Sequence, residues 1–232
     1  MVDNLCPFPS LPPPAPIASV AGFAPAGPTL QEIFAAPNDA SAIGLAFSQI
    51  KRSEGAHLLW VQDRQAIREM GRVFLHGMPP ECGRDIVHVT AKDGREVLWA
   101  MAEGLKCSTL GAVIGEIYGD PRALDFTATR RLAVAAERHG VPAFLVRVNG
   151  QADLSGARRR WRVKSCPSLP HPYDNKAPGA PVWSLDLFRA RDLQPTRWEA
   201  SYNRRAAKAE DRLDLVPQLR DGPLEQDVRQ AE

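Results

Sequence analysis

Lysine and arginine are missing from the first fifty residues, and Lys51 is the first basic side chain. A secretory signal opens on a basic stretch followed by an apolar run. With neither present, and with no stretch approaching a membrane span, the expected location is the cytoplasm, nucleoid-associated when engaged, and no membrane contact is expected. Cysteine is scarce too. Cys6, Cys82, Cys107 and Cys166 form no CxxC pair and no Cys/His cluster, which argues against a disulfide framework and a zinc site. The five histidines are scattered and read as surface or core imidazoles. No Gly-Lys pair occurs, so the phosphate loop GxxxxGK[ST] is absent. GxSxG and HExxH are absent as well. Excess charge is also lacking: a net +2 neither demands nor excludes nucleic acid, and any basic footprint must be local.

The chain of 232 residues, 44% of them hydrophobic, suits one domain with tails. Residues 1–28 are rich in Pro and Ala, as in Pro12-Pro13-Pro14, and are expected to be disordered, a tether. A compact domain is expected over 29–202. Leu30 to Phe34 reads as a short strand and Ala40 to Arg52 as a helix. Leu58 to Val61 is a continuous apolar run, as in a strand covered on both faces. Arg64 to His76 reads as a helix, Ile86 to Val89 as a strand, and Gly94 to Cys107 as a helix with Val97, Leu98, Met101 and Leu105 on one side. Ala112 to Ile114 is a strand. Thr127 to His139 is a helix, with Thr127 as its expected cap and Gly140 closing it. Pro142 to Val148 is again a strand. The segments at Trp161–Val163, Val182–Arg189 and Trp198–Tyr202 follow without helices between them and predict an antiparallel extension at one sheet edge. Residues 203–232 read as a charged, partly helical tail, with a helix over Arg204–Asp214. Alternating apolar strands and helices define an α/β fold: a mostly parallel central sheet with helices on both faces, plus antiparallel C-terminal strands.

In such folds the loop after the first strand commonly holds phosphate, because converging backbone N–H groups and a helix N-terminus attract the anion. Here that loop reads Ala35-Ala36-Pro37-Asn38-Asp39-Ala40-Ser41-Ala42, with no glycine and no lysine, and Asp39 puts a negative charge where a triphosphate would lie. Glu116 ends the strand that would carry a metal-binding acid, but the hydroxyl and phosphates that complete a Mg²⁺ shell are lacking. No catalytic residue, cofactor or metal is therefore expected.

Several segments, in order, resemble the ImuA family. They are Leu58 to Asp63, Val97 to Leu105, Gly111 to Glu116, Asp125 to Leu132, Arg159 to Val163, Trp183 to Arg191, and Trp198. The resemblance covers about 29–202. It implies a RecA-like fold without a Walker A loop and a non-catalytic role in damage-induced mutagenesis. It also implies an ImuB-type Y-family polymerase homologue as partner and, through it, an error-prone C-family polymerase of translesion synthesis. RecA and single-stranded DNA are further candidate partners. RecA carries its catalytic glutamate just after the strand matching Leu58 to Val61, where this chain has Gln62-Asp63-Arg64. The alternative reading is a divergent RecA-like ATPase using Asp63 and Glu116. A further one is a cell-division inhibitor of the SulA type.

Candidate nucleic-acid or partner contacts are Arg147, Arg158, Arg159, Arg160 and Arg162, where basic side chains flank Trp161 in the manner that backbone neutralisation and base stacking require. Arg130 and Arg131 join them, since positive charge near a helix start opposes the helix dipole. In the tail, Leu213, Leu215 and Val216 are candidate docking residues.

Overall fold

The computed structural model describes Phe23, residues 25–51, 57–74, His76, 86–174, 176–203, Ala206 and 211–218. The elements run β1 (Leu30–Ala35), α1 (Ser41–Gln49), β2 (His57–Asp63), α2 (Arg64–Met70), β3 (Ile86–Ala91), α3 (Gly94–Gly104), β4 (Leu110–Tyr118), α4 (Phe126–His139), β5 (Ala143–Val148), β6 (Arg159–Cys166), β7 (Val182–Ala190), β8 (Thr196–Tyr202) and β9 (Leu213–Gln218). The described strands form one sheet of nine, ordered β3-β2-β4-β5-β1-β6-β7-β8-β9. From β3 to β6 all neighbours are parallel, and β7, β8 and β9 continue antiparallel. This is the mostly parallel α/β architecture with antiparallel C-terminal strands that the sequence predicts.

Apolar side chains on both faces explain the central strands: all six residues of β1 and of β5 are buried. One core lies between the sheet and α1, with Phe47, Trp60, Ile114, Trp161, Trp183 and Trp198. The other lies under α3 and α4, with Val97, Met101, Leu132, Ala136 and Leu145. Gly44 of α1 lies against Trp183, and a Cβ there would meet the ring at 2.4 Å. A larger residue would therefore lift α1 off the sheet.

The expected extension is present: β6, β7 and β8 pair antiparallel in turn, and β6 joins the parallel half through β1, Gln31 opposite Arg159 through Phe34 opposite Arg162. Three expectations are corrected. Asp125, not Thr127, caps α4, its carboxylate accepting from Ala128 N at 2.7 Å, while Gly140 closes the helix at φ 71° as expected. The segment expected to be a tether supplies Phe23, which is buried against Trp161 and Trp198 with ring centroids 5.4 and 5.7 Å away; residues 1–22 lie outside the described residues. Finally, the domain does not stop at 202. Leu213 and Asp214 belong to β9, which pairs with β8, and the rest of the helix expected over Arg204–Asp214 falls mostly outside the described residues.

Candidate functional site

The carboxyl ends of the parallel strands are where an open α/β sheet binds ligands. At the end of β1 the loop folds its own carboxylate onto α1. Asp39 Oδ1 accepts from Ser41 N at 2.9 Å and from Ser165 Oγ at 2.7 Å, and Oδ2 accepts from Ser165 N at 2.9 Å. The N-cap residue itself, Ala40, has no side chain to offer. Burial pushes the Asp39 carboxyl up, but the bonds from Ser165 and Ser41 outweigh it and hold the group below the usual aspartate range. An internal anion thus occupies the helix N-terminus that would otherwise attract phosphate.

At the ends of β2 and β4 the two acids of the ATPase alternative are likewise committed. Glu116 is buried on the α1 side of the sheet, where Oε2 accepts from Trp60 Nε1 at 3.2 Å and from Gln62 Nε2 at 2.9 Å. Gln62 Nε2 also donates to the Gly71 carbonyl, and its Oε1 meets His88 Nε2 at 2.9 Å. Burial pushes the Glu116 carboxyl up and the Asp63 charge adds to this, against the two hydrogen bonds. Burial and then Arg72 lower His88. Asp63 is buried too, capping α2 through Ala66 N at 2.6 Å and accepting from Tyr118 N at 3.1 Å. Among the described residues no group of three or more His, Cys, Asp or Glu stands close enough to hold a metal ion.

On the opposite face, Glu32 of β1 gathers arginines. Its Oε1 accepts from Arg147 Nη1 at 2.9 Å and its Oε2 from Arg160 Nε at 2.7 Å, all three residues being buried. Arg147 also pairs with Asp120. Both guanidinium groups lie over Phe34, at 5.4 and 5.3 Å from its centroid. A polar recess of about 170 Å³ opens here, bordered by Glu32, Asp120, Arg122, Thr129, Arg147 and Asp153.

Of the arginines the sequence singles out, Arg147 and Arg160 are therefore internal. So is Arg159, which holds Asp192 on the other face and donates to the Phe23 carbonyl. Its hydrogen bonds keep the Asp192 carboxyl low. Arg158 is half-buried against Glu137, which it holds below the usual glutamate range. Only Arg162 of this run faces outward, stacked at 4.0 Å on Phe188 and 3.8 Å from Asp186. The alternation of a strand separates the run onto two faces, so these residues do not form one basic surface. Arg130 and Arg131 are exposed on α4. Leu213 and Leu215 are core residues of β9 and not free to dock a partner, while Val216 on the other face is exposed. Glu32, the residue that organises the arginines, was missed. A charge between Leu30 and Phe34, in a strand covered on both faces, is the signal that could have found it, since buried carboxylates require counter-charge.

No protein-family model and no curated relative matches the chain. Among solved structures, the crystal structure of SulA from Pseudomonas aeruginosa is similar at 16% identity over 51% of this chain and 97% of that one, with a TM-score of 0.35. Likeness at that level bears on neither fold nor function. No described helix is long and apolar enough to cross a membrane.

Proposed function

We propose that the chain is a non-catalytic, ImuA-like adaptor in damage-induced mutagenesis. It holds an ImuB-type Y-family polymerase homologue, and through it an error-prone C-family polymerase, at lesions, with RecA and single-stranded DNA as further contacts. The resemblance at Leu58–Asp63, Val97–Leu105 and Asp125–Leu132 supplies the family. One observation favours holding over turnover: Asp39 sits on the N-terminus of α1, bonded to Ser41 and Ser165, in the place a nucleotide phosphate would need. Repulsion between that carboxylate and a triphosphate opposes binding.

The test has two parts. Fluorescent ATP with Mg²⁺, with and without single-stranded DNA, is expected to show no saturable binding and no turnover. Saturable binding lost in Glu116→Ala would place the protein with the ATPases instead. Co-purification is expected to recover the ImuB-type polymerase homologue; recovery of a cell-division protein in its place would favour the inhibitor reading.

A further inference from the structure

The α3–α4 layer carries charge and apolar surface that no described residue answers. Phe126, Arg130 and Val134 follow at i, i+4 and i+8 along α4 and therefore share one stripe. Phe126 is 39% exposed and Val134 47%. Leu154, 69% exposed, stands beside the first turns of the same helix. Two residues further on, Gly156 N donates to Thr129 Oγ1 at 2.9 Å, and Gly156 lies so close to Arg130 that a Cβ would meet its Cα at 2.5 Å. On α3, which packs alongside α4, Trp99 is 66% exposed. Single exposed apolar residues are ordinary, but Phe126, Val134 and Leu154 around one helix form a group of the kind that marks contact surfaces.

The charges of this layer point the same way. Arg130, Arg131 and Arg138 are exposed on α4 and form no ion pair among the described residues. The neighbouring acids are already engaged: Asp125 caps α4, Glu137 pairs with Arg158, Asp120 with Arg147, and Glu103 with Lys106. Asp153, on the rim of the loop, is the exception. The antiparallel half differs, since Asp186 there stands between Arg162 and Arg197.

We propose that the exposed face of α4 is the docking surface for an acidic, amphipathic segment of a partner protein. Apolar anchors at helical spacing would seat on Phe126, Val134 and Leu154, and carboxylates would answer the three arginines. Phe126 offers a base a ring to stack on, but Val134 and Leu154 are aliphatic and suit the apolar side chains of a peptide, which favours a peptide over a nucleic acid. The inference deepens the adaptor reading by giving it a surface, and it rests on that reading only for the partner's identity.

Fluorescence anisotropy on the full chain tests it. The probes are two labelled peptides with Leu at amphipathic-helix spacing, one with Glu and one with Lys at the remaining positions, and an oligothymidine. The Glu peptide is expected to bind at least about tenfold more tightly than the Lys peptide, and to weaken by about tenfold in Arg130→Glu/Arg131→Glu and in Val134→Asp. Arg64→Glu, on α2, should leave binding unchanged. The altered residues are exposed, so circular dichroism and Tm should not move. The proposal is overturned if the Glu peptide binds no better than the Lys peptide or survives both variants. It is also overturned if the oligonucleotide binds in its place and is lost in the same variants. Capture of the ImuB-type protein is measured in parallel. If the wild type captures none while the peptide pattern holds, the adaptor reading fails and the surface stands. Capture that persists unchanged in the α4 variants removes this face as that partner's seat.

Discussion

Glu32 and Glu116 are both buried carboxylates, on opposite faces of one sheet, and their surroundings differ in kind. Glu32 meets two guanidinium groups. Glu116 meets only an indole and an amide, so burial pushes its carboxyl up. The same desolvation is offset by opposite charge on the α4 side and left standing on the α1 side. The difference separates a cluster that locks β1, β5 and β6 together from a carboxylate that its surroundings favour in the neutral form.

The comparison can be broken first at Glu32. Glu32→Ala strands two buried guanidinium groups and should cost about 3–5 kcal/mol in urea unfolding. Wild-type stability would mean that Asp120, already paired with Arg147, compensates for the lost carboxylate. Asp39→Ala, which uncaps α1 and frees Ser165, should cost about 1–2 kcal/mol; no loss would remove the internal anion from the account. Glu116→Gln keeps an acceptor for Trp60 and Gln62 while removing a buried charge, and should gain about 1 kcal/mol at pH 8. Because the folded pKa of Glu116 is raised, its contribution is present below the ordinary glutamate range and lost as pH rises through the folded value. The advantage of the variant should therefore vanish near pH 4, and a gain independent of pH would refute the assignment. The smallest effect is on the acid side. Asp39, Glu137 and Asp192 are held low, so their contribution is present above the ordinary carboxylate range and is lost as pH falls through their folded values. Glu137 and Asp192 are partly exposed, so raised salt should blunt their share of the loss. An unchanged urea midpoint from pH 6 to pH 3 would contradict it.

Strands β2, β4 and β5 and helix α3 were legible because their apolar runs and periodicity are strong and local. The parallel pairing of β6 with β1 was not legible, for a physical reason. Parallel neighbours are usually joined through a helix, whereas β6 reaches the far side of β1 through the irregular segment 149–158. β9 was hidden by the charged composition around it, although Leu213 and Leu215 alternating with Asp214 and Val216 carry a strand signal. At the site, the absence of a phosphate loop was plain from Pro37 and Asp39. The fate of Arg158 to Arg160 was not. Their partners Glu137, Asp192 and Glu32 lie 21, 33 and 128 residues away in sequence, and pairing at that range has no local trace. Strand alternation does imply from sequence that only part of the run reaches one ligand, but not which carboxylates take the rest.

Arg212 joins the two ends of the described chain. Its Nη1 donates to the carbonyls of Phe47 and Ile50 at 2.7 and 3.0 Å, across separations of 165 and 162 residues. The Phe47 carbonyl also takes the local bond from Ile50 N at 3.3 Å, so Arg212 adds a second, long-range donor to an end of α1 whose last carbonyls have few partners within the helix. The first helix and the last described strand are thereby fastened to one another, so loosening either end of the described chain loosens the other.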